Sequence, residues 1–317
     1  MKHTAFWLDT SDHQRLLVNA WLPLTDGDSI KAVVMVSHGM AEHSGRYARL
    51  GAALTAAGFA LYAHDQRGHG QTAVHGVLGH YADEDGWNKV VGDLASLSAL
   101  IAQRHPGAPV FLLGHSMGSY IAQAYLLHHS ASLQGAVLSG SNFQPVSLYR
   151  AAALIARMER WRQGPTGRSA LIEFLSFGSF NNRFKPVRTS FDWLSRDPGE
   201  VDKYTQDPLC GFRCTNQFWL DMLGGLQQIS KTSNLAQVDK SLPLLIIGGE
   251  CDPVSDGKRL KHLADALAAT DHSLVTLNIY PQARHEILNE INRDEVTRDL
   301  LAWLEAALAE PRPRRSE

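Results

Sequence analysis

Hydrophobic and polar positions alternate along the chain in a pattern that predicts strands and helices in turn. Short apolar runs predict strands over residues 31–36, 59–63, 110–113, 135–139, 242–248 and 273–280. Apolar positions at helical spacing predict helices over residues 46–57, 87–103, 257–267 and 293–308. Two further strands, 4–8 and 15–22, precede this series. Strands and helices that alternate at this spacing are joined by right-handed crossovers, so we expect an α/β fold with a mostly parallel central sheet and helices on both faces.

The alternation stops in the middle of the chain. Between residues 143 and 238 the sequence has many bulky apolar residues and helical patterns at 148–161, 170–177 and 215–226. We therefore predict a helical cap that is inserted into the core and covers the carboxyl edge of the sheet, where open α/β sheets bind ligands. The predicted divisions are a core of 1–142 and 239–310, a cap of 143–238, and a disordered tail of 311–317.

One short stretch, Gly114-His-Ser-Met-Gly118, joins an apolar run to a helical pattern. A serine at such a turn, with glycine two residues to either side, is typical of the nucleophile elbow of serine hydrolases. The serine adopts a strained backbone conformation, and a side chain at Gly114 or Gly118 would collide with the neighbouring strand or helix. We predict that Ser116 is a nucleophile; the alternative is an ordinary glycine-rich turn.

A serine hydroxyl becomes a good nucleophile only beside a base that a third group orients. In this kind of strand-turn-helix arrangement the acid and then the histidine follow the serine along the chain. Asp252 and His285 each follow one of the last two predicted strands, so both should lie at the same sheet edge as Ser116. Glu250 and Asp256 are alternatives to Asp252, but they lie at a strand exit and near a helix start, where a carboxylate favours capping.

The negative charge that develops on the substrate carbonyl oxygen requires two backbone N–H donors, each worth about 2.7–4 kcal/mol. One donor is expected from Met117, the residue after the nucleophile, and the other from the turn after the first central strand. We assign the second donor to Met40, because Gly39 beside it lets a substrate approach the backbone. The alternative is that His38 and Gly39 form an ordinary strand exit.

The polar loop that follows Met40 offers candidates for substrate binding. Glu42, His43 and Arg46 either contact the head group of the substrate or belong to a self-bonded loop. In the second interpretation Ser44 caps the following helix and Arg46 pairs with Glu42. The sequence does not decide between the two.

The predicted cap offers apolar candidates for the same role. Phe177, Trp219 and Met222 either line a site for an acyl chain or pack the interior of the cap. The same apolar character favours peripheral contact of the cap with a membrane or a micelle.

Composition and charge narrow the set of partners. The 317 residues carry a net charge of −2, so no surface field favours nucleic acid. The cysteines number three, and no histidine or cysteine near Cys210 and Cys214 completes a zinc site, so we expect neither a disulfide framework, nor a metal, nor a cofactor. The N-terminus becomes polar too early for a signal peptide, which favours a cytoplasmic location. The oligomeric state stays open.

Five stretches together resemble the monoacylglycerol lipase and lysophospholipase branch of the α/β-hydrolases, which is grouped by sequence with serine aminopeptidases. They are 38–47, 65–71, 111–118, 248–252 and 280–290, and they lie in the two parts of the core. The resemblance implies an α/β-hydrolase fold, a Ser116–His285–Asp252 triad, an oxyanion hole from Met40 and Met117, and single-chain acyl esters as substrates. The cap resembles this branch less clearly, which leaves the chain length and head group open.

The predicted function is that of a serine esterase or lipase that cleaves a small-molecule acyl ester through an acyl-enzyme. Its rate should fall as the pH drops through about 6.5, the ordinary pKa of histidine. One alternative is a serine aminopeptidase or amidase, which needs an acidic anchor for a free amine. The cap offers Glu159, Glu173, Glu200 and Asp202 for that purpose. Another alternative is a ligand-binding protein of the same fold without catalysis.

Overall fold

The computed structural model describes residues 1–24, 30–310 and 312. Within them, the strands are Lys2–Asp9 (β1), Arg15–Leu22 (β2), Val33–Ser37 (β3), Ala60–His64 (β4), Val110–His115 (β5), Gly135–Ser139 (β6), Leu244–Gly249 (β7) and Val275–Tyr280 (β8). The α-helices are Ala48–Ala56 (α1), Gly86–Arg104 (α2), Met117–His129 (α3), Val146–Gln163 (α4), Ala170–Phe177 (α5), Pro198–Gln206 (α6), Asn216–Ile229 (α7), Thr232–Leu235 (α8), Arg259–Ala268 (α9) and Arg293–Ala309 (α10).

The strands form one sheet in the order β1-β2-β4-β3-β5-β6-β7-β8. The pairs β1–β2 and β2–β4 are antiparallel, and every later pair is parallel. The predicted α/β architecture with a mostly parallel sheet is therefore confirmed. The strand β5 lies between β3 and β6, so the loops that follow these three strands meet at the centre of one sheet edge.

The central strands are apolar at nearly every position because both faces of the sheet are covered. In β3, Val33 and Met35 pack into one apolar cluster, and Val34 and Val36 pack into another. Successive side chains of a strand point to opposite faces, which explains this division. The helices α2, α3 and α9 contribute to the first cluster, and α1 and α10 contribute to the second.

The segment between β6 and β7 contains helices and no strand among its residues, all of which the structure describes. The three helices predicted there are present as α4, α5 and α7. The helix α7 packs against α4 and also against α2 and α3 of the core. A Cβ atom at Gly225 of α7 would lie 2.0 Å from the Trp87 ring of α2, so glycine is required for this approach.

Several predicted bounds differ from the observed ones. The helix predicted at 46–57 starts as a 3-10 turn, Ser44–Tyr47, before α1. The patterns do not predict α6, although Asp197 accepts from the Gly199 amide and Pro198 occupies the first helical position. The predicted tail of 311–317 lies outside the described residues except for Arg312, whose Nη2 lies 2.7 Å from Asp239 Oδ2. In the described part of the chain, no helix has the length and apolar character needed to cross a membrane.

Candidate active site

Ser116 stands at the sharp turn between β5 and α3 in a conformation that L-residues rarely adopt, with φ of 52° and ψ of −121°. Its amide donates to the Ser139 carbonyl at 2.8 Å. A Cβ at Gly118 would lie 2.0 Å from the Ser37 carbonyl oxygen, and a Cβ at Gly114 would lie 2.4 Å from the Gly118 carbonyl oxygen. Both predicted glycine requirements are confirmed, and the turn has the strained backbone geometry that is typical of a nucleophile elbow.

The acid and the base predicted from the sequence lie in contact. The Nδ1 atom of His285 is 3.0 Å from Asp252 Oδ1, and both side chains are buried. The same carboxylate oxygen accepts from the Val254 amide at 2.8 Å, which fixes its orientation. Of the three carboxylates considered, all within the described residues, Asp252 contacts His285; Glu250 accepts from the Gln282 amide, and Asp256 pairs with Arg183.

The contact with Asp252 determines what His285 can do. When Nδ1 donates to the carboxylate, Nε2 carries the lone pair that a general base needs. Ser116 and His285 line the same cavity, so the serine hydroxyl and this base face a common space. Burial of the imidazole opposes its charged form, but the negative charges of Asp252, Glu286 and Glu42 outweigh it, and the pKa of His285 lies above its ordinary value.

The turn between β3 and the Ser44–Tyr47 segment presents backbone amides at the cavity that Ser116 lines. Met40 and Met117 both line the cavity that contains Ser116. The Gly39 amide donates to Glu42 Oε1 at 2.5 Å, and Ala41 has a φ of 53°, so the loop bends sharply around Met40. Among the described residues no acceptor receives the Met40 or Met117 amide. Both donors are therefore available to an oxyanion.

The polar loop is held by a buried network that joins it to the histidine. Arg46 contacts Glu42 at 2.7 Å and forms a double hydrogen bond, also at 2.7 Å, with Glu286. Although burial works against ionisation, Arg46 holds the pKa of Glu42 at about 2 and keeps the pKa of Glu286 below its ordinary value. Two carboxylates thus share one guanidinium, and a net negative charge lies beside His285.

The loop residues differ in what they contact. Among the described residues, those lining the cavity include Glu42 but neither Arg46 nor His43. His43 Nε2 lies 2.9 Å from Asp207, and its Nδ1 accepts from the Gly45 amide. Of the two features of the self-bonded interpretation, the Ser44 cap is absent, because the Ser44 hydroxyl donates to Asp65 and His43 caps the turn instead. The pairing of Arg46 with Glu42 is present.

The cavity has a volume of about 1300 Å³ and lies between the sheet edge and the helices α4 to α7. Phe177, Trp219 and Met222 line it, as does Trp193. The Trp193 ring lies 5.1 Å from the His285 ring and stacks with Phe177, so an aromatic wall leads away from the base. Sequence patterns do not identify Trp193 or Glu286 as neighbours of His285. The one signal in the sequence is that Glu286, an acidic residue, directly follows His285.

A group of possible metal ligands lies near the polar loop. The ligand atoms of His43, Asp207 and Cys210 are within 4.8 Å of one another. The His43 ring is already engaged at both nitrogens, since Nδ1 accepts from the Gly45 amide and Nε2 donates to Asp207. A metal ion at Nε2 would move the ring proton to Nδ1, which could then no longer accept a hydrogen bond from the Gly45 amide. The present hydrogen bonds therefore account for the position of His43 beside Asp207 without a metal.

The chain is similar in sequence and in fold to known ester hydrolases. The model of the family described as "Serine aminopeptidase, S33" matches residues 28–292. A monoacylglycerol lipase of Mycolicibacterium smegmatis is 32% identical over 92% of each chain. The monoglyceride lipase of Homo sapiens is 30% identical, covering 90% of this chain and 84% of its own. A thermostable carboxyl esterase from Bacillus coagulans, solved in complex with glycerol, superimposes with a TM-score of 0.88 at 26% identity, covering 97% of this chain and 99% of its own.

Proposed function

The chain belongs to the serine aminopeptidase S33 family and is a serine carboxylester hydrolase of α/β-hydrolase fold; we propose that it cleaves single-chain acyl esters, such as a monoacylglycerol or a lysophospholipid. In this proposal Ser116, His285 and Asp252 form the catalytic triad. The observation that carries the proposal is the buried His285–Asp252 contact at a cavity that also contains the strained Ser116 and an aromatic wall. The wall suits an acyl chain, and the two free amides suit an ester carbonyl.

Each group has one role in this mechanism. Ser116 Oγ attacks the ester carbonyl while His285 Nε2 takes its proton. The Met40 and Met117 amides receive the negative charge on the carbonyl oxygen. Asp252 stabilises the imidazolium, which then gives its proton to the leaving alcohol. Water, activated by His285, attacks the acyl-enzyme and releases the acid.

The arrangement of acidic residues favours esters over peptides with a free amino terminus. Glu159 is bonded to Arg162 and Ser169, Glu200 to Lys203, and neither lines the described part of the cavity. Glu173 does line it, but burial raises the pKa of Glu173, which disfavours the charged form that an ammonium group needs.

A substrate panel tests the function directly. We expect the purified protein to hydrolyse p-nitrophenyl esters of increasing chain length, a monoacylglycerol and a lysophospholipid, with kcat/KM rising as the chain fills the aromatic wall. Aminoacyl p-nitroanilides should not be cleaved, because the charged carboxylates that line the described part of the cavity, Glu42, Asp256 and Glu286, are already paired with arginines. Anilide cleavage without ester cleavage would instead favour an aminopeptidase.

The outer face of the cap supports a further part of the proposal, contact with a membrane or micelle. Leu154, Met158 and Trp161 lie at helical spacing on α4 and are 63%, 52% and 87% exposed. Phe174 of α5, which also lines the cavity, is 69% exposed. Such an apolar surface favours contact with lipid. The same panel tests this contact when one ester is supplied below and above its critical micelle concentration. The rate of hydrolysis should rise when micelles form, and an unchanged rate would argue against contact with lipid.

The pH dependence of the reaction follows from the raised pKa of His285. His285 acts as a base only when neutral, so kcat/KM should be full above its pKa and fall as the pH drops through it. Because Asp252, Glu286 and Glu42 raise this pKa, the fall should be centred above the ordinary value of about 6.5. A pH–rate profile from 5 to 9 with a soluble ester measures it.

Glu286 provides a control for this profile. Glu286→Gln removes one of the negative charges that raise the pKa of His285, so the midpoint should move to lower pH. A profile that stays flat from pH 8 to 5 in the wild type would contradict the assignment of His285 as the base.

A further inference from the structure

A polar patch interrupts the largely apolar lining of the catalytic cavity. It is formed where the loop after β6 and the first turn of α4 meet the start of α9. Its side chains are Asn142, Gln144, Tyr149 and Arg259, which all line the cavity with Ser116. The Tyr149 hydroxyl donates to Asn142 Oδ1 at 3.0 Å. With the Gln144 amide oriented so that its oxygen faces the guanidinium, that oxygen accepts from Arg259 Nε at 2.6 Å.

Among the residues that the structure describes, Arg259 has no salt bridge with a carboxylate. Within the described residues its acceptors are neutral: the Gln144 amide oxygen and the Val254 carbonyl, the latter at 3.0 Å from Nη1. The two nearest acidic residues along the chain are engaged elsewhere, since Asp256 pairs with Arg183 and Asp252 contacts His285. One partly buried positive charge therefore faces the cavity, where a charge without a counterion is unfavourable.

The position of Arg259 in its helix does not explain this charge. Arg259 is the first residue of α9 and follows Lys258 at its N-cap. The N-terminal end of a helix carries partial positive charge, so cations there are disfavoured and carboxylates are preferred. A cation at this position therefore destabilises α9. The hydrogen bonds that Arg259 donates to neutral acceptors could also be made by an uncharged side chain.

We propose that Arg259 forms a subsite for an anionic group, a phosphate or a carboxylate, on the alcohol part of the ester. The proposal rests on the proposed function, because the subsite belongs to the same cavity. The acyl chain would occupy the aromatic wall, while the head group would meet Arg259 with Gln144 and Tyr149 beside it. A guanidinium presents paired N–H donors that match the oxygens of either anion. The enzyme then prefers esters with an anionic head group over neutral ones.

Three octanoyl esters, kept below their critical micelle concentrations, test the subsite: 1-octanoylglycerol, 1-octanoylglycerol 3-phosphate and the octanoyl ester of glyceric acid. Arg259→Gln should raise KM for an anionic ester about tenfold more than for the neutral one, as expected for loss of a hydrogen bond to a charged group. The matched control is Arg183→Gln, which removes a cavity-lining arginine that already has a partner and should affect the three esters alike. Circular dichroism confirms that both variants fold.

The results distinguish a phosphate from a carboxylate as the bound group, and they distinguish failure of the subsite from failure of the proposed function. A selective loss for the phosphate ester or for the carboxylate ester identifies the group that Arg259 binds, and either supports the subsite. An equal change for all three esters, no change, or the same pattern in Arg183→Gln would overturn it. If the wild type hydrolysed none of the esters, the proposed function would fail by itself. The subsite would then be judged by calorimetry, in which octyl phosphate should bind Arg259→Gln about tenfold more weakly than the wild type.

Discussion

Replacing Ser116 by alanine is expected to lower kcat for ester hydrolysis by about 10⁵- to 10⁶-fold, the loss seen when a serine nucleophile is removed from a triad. The remaining activity would come from the oxyanion donors and from substrate binding. The fold should survive, because the Ser116 amide rather than its hydroxyl bonds to Ser139, and the exposed face of the residue is the cavity. Pre-steady-state kinetics with an excess of a p-nitrophenyl ester measures the loss, since the wild type should show a burst of acyl-enzyme formation and the variant none.

Ser176→Ala is a matched control, because Ser176 lines the same cavity on α5 but lies outside the proposed triad. It should retain ester hydrolysis and the burst. Hydrolysis that survives in Ser116→Ala at a comparable rate would show that another group attacks the ester, and the triad proposal would be abandoned.

Local sequence patterns were sufficient for the elbow and for the order of the core. The requirement for glycine at positions 114 and 118 follows from a backbone that passes within 2.0–2.4 Å of where a Cβ would stand. Asp252 and His285 could be located because parallel strands end at one sheet edge, so residues that follow two neighbouring strands lie close together. The positions of Asp252 and His285 follow from the direction and order of the strands, which the alternating apolar runs predict.

Contacts between distant parts of the chain were not predictable in the same way. The pairing of Arg46 with Glu42 is an interaction four residues apart on one turn, and the sequence predicts it. The pairing of Arg46 with Glu286 joins residues 240 positions apart, and no local pattern selects Glu286 among the acidic residues of the chain. The alternative in which Ser44 acts as a helix cap is excluded for the same reason, because the Ser44 hydroxyl donates to Asp65, which follows another strand.

The cap was predictable as a set of helices but not as a binding surface. Helical spacing predicts α4, α5 and α7, yet it does not tell which apolar residues face the cavity and which face solvent. Phe177 lines the cavity, while Trp161 is 87% exposed. That division depends on how α4 and α7 pack against each other and on the core, which is a property of the assembled fold.

Lowering the pH from 7 to 5 is expected to destabilise the folded chain by about 6 kcal/mol through three buried histidines alone. Burial lowers the pKa of His64 and His69 to about 3 and that of His115 to about 4. The folded chain keeps these rings neutral at pH 5, while the unfolded chain protonates them near pH 6.5. Their contribution is therefore full above pH 6.5 and is lost as the pH falls toward the folded values, at about 2 kcal/mol for each ring by pH 5.

The titration of His285 has the opposite effect on the free energy of unfolding. Its raised pKa means that the folded chain binds its proton more tightly than the unfolded chain does, which offsets part of the loss at low pH. Asp93 and Asp221 offset a further part, because burial raises the pKa of each to about 6 and the folded chain therefore binds their protons at pH 5 more tightly than the unfolded chain does. The loss through the three rings by itself is large compared with the total stability of about 5–15 kcal/mol that is typical of a folded protein. Urea unfolding followed by circular dichroism at pH 7, 6 and 5 measures the difference in the free energy of unfolding.

His64 allows this loss to be assigned to buried rings. Neither nitrogen of its ring has a hydrogen-bond partner among the described residues, so His64→Leu removes a buried imidazole without breaking a bond. The variant should lose about 2 kcal/mol less than the wild type between pH 7 and 5. His75→Leu, at an exposed position, removes a histidine without removing a buried ring and should follow the wild type. If His64→Leu lost as much stability between pH 7 and pH 5 as the wild type does, the His64 ring would not stay neutral in the folded chain, and its low pKa would be wrong.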